Sequence, residues 1–134
     1  MEFRLIDPVF LHSVWPQVKT SLAAVREKCE VPWIDEDVYH AVKSGSSSLH
    51  FALSEGQFCG LMVTTLNRCE YSGIPELHVW IAHNVGDADV IESGLEMLRN
   101  MAFSAGAKRL TFGSPRLGWS KRFKLESATY RIDL

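Results

Sequence analysis

The spacing of apolar and polar residues along the chain changes period several times, and each change marks a predicted element. Phe3 and Leu5 alternate with Arg4, which predicts a short strand over Glu2–Ile6, closed by the turn pair Asp7-Pro8. From Val9 to Cys29 the period becomes helical, with Val18, Leu22 and Val25 on one face. Pro16 is expected to open the main helix at its first turn, where its missing N–H costs least. Val31-Pro32-Trp33 breaks that helix. A second begins at Ile34 or Asp35, with Asp35, Glu36 and Asp37 in the turn where the helix dipole favours acids. Val38, Ala41 and Val42 give it a buried stripe, and Gly45 ends it.

The middle of the chain reads as β-structure. Leu49–Leu53 alternates, Ser54-Glu-Gly-Gln57 is a hairpin turn, and Phe58–Leu66 is the returning strand. Gly60 inside that strand predicts a bulge or a close backbone contact. A polar loop over 67–75 leads into Glu76-Leu-His-Val-Trp-Ile-Ala-His83, a further strand. After the glycine-bearing turn Asn84-Val-Gly-Asp-Ala-Asp89, the residues Val90, Ile91, Leu95, Leu98, Met101 and Ala102 recur at helical spacing. Gly106 is the expected stop, and Arg109-Leu-Thr-Phe-Gly113 the next strand. A short helix is expected over 116–123 and a final strand over Ala128–Leu134. The predicted order is β-α-α-β-β-β-α-β-α-β, an α/β fold without internal repeats.

Strand, turn, helix and strand over 76–113 form a βαβ unit, which makes its two strands parallel neighbours in a sheet. The turn feeds a helix N-terminus, where free backbone N–H groups and the dipole favour an anion. A ligand is therefore expected there.

Composition narrows the classes. The 134 residues are expected to form a single domain over 1–134, large enough for one core. At 46% hydrophobic and 22% charged residues the composition is that of a folded soluble protein. A net charge of −2, with no run of Lys and Arg, argues against nucleic acid as a partner. The three cysteines, Cys29, Cys59 and Cys69, form no CxxC pair, which argues against a disulfide scaffold or a cysteine-rich zinc site. His12, His40 and His50 lack ligand spacing with any Cys, Asp or Glu, so no metal is expected. No apolar run reaches membrane-spanning length and no secretory pattern opens the chain, so no membrane role and a cytoplasmic location are expected.

The element order resembles that of the GCN5-related N-acetyltransferase (GNAT) superfamily. The stretches Ile34-Asp-Glu-Asp-Val38, Lys43-Ser-Gly45, Leu49-His-Phe-Ala-Leu53 and Gly56-Gln-Phe-Cys-Gly60 look like the second helix and first hairpin of GNAT-like proteins encoded by bacteriophages. Gly106-Ala-Lys-Arg-Leu110 and Ser114-Pro-Arg-Leu-Gly-Trp119 resemble the later half of the same group. The resemblance implies a mixed sheet with helices on both faces. It further implies acetyl-CoA as co-substrate, an amine acceptor, and a location in the cytoplasm of a bacterial host.

In that superfamily the strand before the central helix splays from its neighbour and admits the pantetheine arm, and the following turn wraps the pyrophosphate. The matching positions here are Ile81, Asn84, Val85 and Gly86, acting through backbone N–H groups, with Trp119 as a pocket cap or a core residue. The turn keeps one glycine and carries no basic residue. Asp87 and Asp89 stand in it instead, as helix caps or as charges over the anion site.

Acetyl transfer to an amine needs a proton acceptor and donors for the tetrahedral oxyanion. The resemblance puts a carboxylate on the strand before the turn, where Glu76 stands. His78 shares its sheet face, whereas His83 falls on the other face by alternation. Glu76 with His78 is the best acid/base pair in the chain, and an edge carboxylate beside a half-buried histidine is the structural alternative. No tyrosine stands between Ser114 and Leu125 to protonate a leaving thiolate. Arg116, Lys121, Arg122 and Lys124 form a basic cluster that suits a coenzyme 3′-phosphate or a solvated helix face.

Two functions follow from this. One is an acetyl-CoA-dependent N-acyltransferase. The other is a catalytically silent GNAT-like module with a phage structural or host-interaction role and a protein partner. Pairing of sheet edges into a homodimer is compatible with either.

Overall fold

The first apolar alternation does form an edge strand, β1 (Glu2–Leu5), in a computed structural model that describes residues 1–86, 89–114 and 121–134, with the Asp89 side chain left out. A 3₁₀ turn at Pro8–Phe10 follows, capped by the Asp7 carboxylate, which accepts from the Val9 N–H at 3.0 Å. It runs directly into α1 (Leu11–Lys28), so Pro16 lies inside the helix rather than at its start. Leu11, Val18 and Leu22 are completely buried, and that burial outweighs the single backbone bond a proline removes.

Helix α2 (Asp35–Lys43) starts as expected, with the Asp37 carboxylate accepting from the Ile34 N–H at 3.0 Å. Strands β2 (Ser48–Ser54) and β3 (Gln57–Arg68) form the hairpin, whose turn residues Glu55 and Gly56 both have positive φ. The long strand β4 (Pro75–Asn84), helix α3 (Asp89–Ser104) and the short strand β5 (Arg109–Phe112) complete the βαβ unit. The sheet order is β1-β2-β3-β4-β5, antiparallel throughout except for the parallel β4–β5 pair. This is the expected mixed sheet with helices on both faces.

Two apolar clusters sandwich the sheet. Leu11, Val18, Leu22, Val38 and Val42 from α1 and α2 pack on Leu49, Phe51, Leu61, Val63 and Ile81. On the opposite face, Leu98 and Ala102 of α3 pack on Leu77 and Val79. The last part of the expected order is not reproduced. The helix expected over 116–123 lies largely outside the described residues. Residues 128–134, expected as a strand, pair with no strand among the described residues and are exposed. They lack a neighbouring edge and a face to bury, and alternation alone does not hold a strand.

Candidate functional site

The site is built where β4 outruns β5. The parallel pairing extends from Glu76 opposite Arg109 to Val79 opposite Phe112, and there β5 ends. β4 continues through Asn84, so along 80–84 its edge on the β5 side has no strand neighbour among the described residues. A strand edge that outruns its parallel neighbour is where an extended ligand arm can lie alongside the backbone.

The side chains of β4 do not alternate simply. Val63 of β3 pairs with Ile81 and Thr64 with Val79, so Trp80 has no opposite residue and forms a bulge. Below the bulge, Leu77 and Val79 point toward α3, which turns Glu76 and His78 toward the α1–α2 side. Above it, Ile81 joins the α1–α2 cluster, and His83 follows Ile81. The bulge therefore returns His83 to the face of Glu76 and His78, where alternation had put it on the other. Trp80 meets Trp33 of the α1–α2 loop edge-on, with ring centroids 6.4 Å apart. Arg26 lies over the Trp33 ring at 5.7 Å and pairs with Asp35, which fixes that loop above the bulge.

Glu76 and His78 are held by β5. The Glu76 side chain is 14% exposed, and its Oε2 is buried 3.8 Å from the Arg109 guanidinium. Thr111 Oγ1 lies 2.8 Å from His78 Nδ1. His78 thus stands one residue before the end of the β4–β5 pairing and Glu76 in its first pair, roughly 10 Å back from that end, each across from a polar residue of β5. The His83 imidazole is held below the ordinary histidine range, first by burial and second by the positive charge of Lys28. The sequence offered no sign of that, because the bulge that re-aims His83 is set by pairing with β3.

The turn after β4 is described as far as Gly86. Gly86 has φ 110°, a conformation that L side chains rarely adopt. Gly60 lies opposite Asn84, and a side chain there would run into the His83 carbonyl oxygen. The Val85 N–H donates to the Cys59 carbonyl at 2.8 Å, so it anchors the turn to β3 instead of facing a ligand. The Ile81 side chain is buried in the core, which leaves only its backbone for ligand contact. The Asp87 capping expectation, the Asp89 side chain, Arg116 and Trp119 lie outside the described residues. Arg122 comes to the first turn of α3, where its guanidinium pairs with Glu92 at 2.6 Å and lies over the Phe123 ring. It brings positive charge to the helix start that the turn sequence itself lacks. Among the described residues, no three His, Cys, Asp or Glu side chains converge on a metal-sized site, and no helix is long and apolar enough to cross a membrane.

No protein-family model matches the chain, and no curated relative matches it. Solved structures do. A ribosomal-protein-alanine N-acetyltransferase from Brucella melitensis biovar Abortus 2308 superposes with a TM-score of 0.69 at 14% identity, covering 100% of both chains. An aminoglycoside acetyltransferase from an uncultured soil metagenomic sample, in complex with sisomicin, gives 0.67 at 13% identity over 99% of this chain and 94% of that one. A Trypanosoma brucei acetyltransferase gives 0.62 at 14% identity over 99% of each. With the parallel β4–β5 pair, the bulged β4 and the glycine turn into α3, these superpositions establish that the chain has the GNAT acetyltransferase fold.

Proposed function

We propose that the protein is an acetyl-CoA-dependent N-acetyltransferase. The observation that carries this reading is the edge of β4 that continues past the end of β5, with the Trp80 bulge at its start and the Gly86 turn at its end. The pantetheine arm would lie along the β4 edge beside residues 80–84. The pyrophosphate would lie at the turn before α3, with Asn84 and Gly86 contributing backbone and Arg122 contributing charge. Trp119 is proposed as the cap of the adenine end on sequence grounds alone.

In the reaction an amine nitrogen attacks the thioester carbonyl carbon, the C–S bond breaks, and the coenzyme leaves as a thiolate. Glu76 is proposed as the acceptor of the ammonium proton, directly or through a water. Arg109, 3.8 Å away, is the ion-pair partner that would orient the carboxylate. His78, oriented by Thr111, would relay that proton or return one to the thiolate, since no tyrosine stands over 114–125 for that step. A backbone N–H at the Trp80 bulge is proposed as the donor to the tetrahedral oxyanion. A phage-encoded kinship and a cytoplasmic site of action are part of this proposal and rest on the sequence likeness.

Isothermal titration of acetyl-CoA tests it, followed by thiol release against a panel of primary amines. Binding within about 1 μM–1 mM, the usual range of enzyme KM values, is expected. Gly86→Val should weaken it, because Gly86 has open space around it and the substitution strains only the backbone. Absence of binding at about 1 mM coenzyme, with the fold intact, would refute the transferase and leave the catalytically silent module.

A further inference from the structure

Residues 128–134, Ala-Thr-Tyr-Arg-Ile-Asp-Leu, alternate strictly between apolar and polar, yet join neither outer strand of the sheet. Arg131 Nε lies 3.3 Å from Asp133 Oδ1, so these two side chains share one side, as they do in an extended strand. A second nitrogen of Arg131 is 3.0 Å from Glu30 at the end of α1, which moors the segment to the body of the protein. Tyr130 and Ile132 are left 90% and 86% exposed, and Leu134 fully so. A moored, extended stretch with three large apolar side chains in water is a strand without a neighbour among the described residues.

The segment is complementary to itself. In an antiparallel pair centred on Ile132, Arg131 of each copy stands opposite Asp133 of the other. Tyr130 stands opposite Leu134, and Ile132 opposite Ile132. Other registers are worse. Centring on Arg131 or on Asp133 opposes like charges, and a shift by half a step sets apolar residues against polar ones. This self-complementarity is what a two-fold symmetric interface requires.

We infer that residues 128–134 form a homodimer interface, pairing antiparallel with the same segment of a second copy about Ile132. A single short strand from each copy buries little surface. The dimer is accordingly weak, with a dissociation constant on the order of 10–100 μM. The inference does not depend on acetyl transfer.

Sedimentation equilibrium from about 10 μM to about 1 mM in low salt tests it, since the upper concentrations lie well above that constant. The unmodified chain should approach twice the monomer mass. Ile132→Asp, Arg131→Asp and Asp133→Arg should each raise the dissociation constant about tenfold or more. All three positions are exposed, so circular dichroism should be unchanged. An equimolar mixture of the Arg131→Asp and Asp133→Arg chains should associate again, because each then faces its opposite. Monomer mass throughout the range would overturn the inference. So would a dimer unaffected by these substitutions, or a mixture that associates no better than its components.

Discussion

Gly60 is where a single methyl group tests how the turn before α3 is held. A Cβ built there falls well inside 3.0 Å of the His83 carbonyl oxygen and 3.4 Å from the Asn84 Cα, both of them backbone atoms of the neighbouring strand. No side chain can swing aside. Restoring an ordinary 3.4 Å contact needs β3 and β4 to part by about 1 Å. That movement strikes the strand end leading to Gly86, next to the 2.8 Å bond from the Val85 N–H to the Cys59 carbonyl. Overpacking of this kind costs about 1–3 kcal/mol. For a chain of this length Gly60→Ala should lower Tm by roughly 4–15 °C. Acetyl-CoA affinity should also fall, measured at a temperature where the variant is fully folded. Gly113→Ala is the control, because nothing lies within 4 Å of its added Cβ. A Gly60→Ala protein within about 0.5 kcal/mol of the parent in urea, with unchanged coenzyme affinity, would refute the argument that this close approach positions the turn.

Two further outcomes follow from the same geometry. Glu76→Gln should lower kcat about 10²–10⁴-fold with an active amine while leaving acetyl-CoA affinity within error, since Glu76 stands in the first pair of the β4–β5 ladder, far from the turn; equal losses in both would assign it a structural role. His50 has a buried Nδ1 without a hydrogen-bond partner, and burial pulls its pKa below the ordinary 6.5. The unfolded chain therefore binds this proton more readily than the folded one. Stability should be flat above about pH 7.5 and fall as pH drops through the unfolded value toward pH 5.5. Urea titrations at the two ends should show the loss, and His50→Gln should reduce it.

The sequence by itself determined the elements and their order as far as Phe112. Its periods of two and near three and a half reflect which side chains can reach a core, and most apolar positions of α1, α2, α3 and β2–β4 do, although Ile91 on the expected face of α3 and Leu66 at the end of β3 are exposed. It also located the glycine turn, since Gly86 adopts a backbone angle that side chains resist, and the parallel β4–β5 pair, since a helical crossover forces it. Pro16 shows where local preference lost, because the burial of Leu11 carried α1 back across a residue expected to begin it.

What only the tertiary structure decided depends on pairing between strands far apart in sequence. The bulge at Trp80 arises from the register of β4 against β3, and it moved His83 to the other face of the sheet. The length of the cleft depends on β5 stopping at Phe112 while β4 runs on to Asn84. Arg122 reaches the start of α3 from outside the turn, where no spacing rule would look for a charge. Residues 128–134 carry a strand pattern and find no neighbour among the described residues, because a strand is stabilised by the edge beside it and a sequence pattern supplies only its own half.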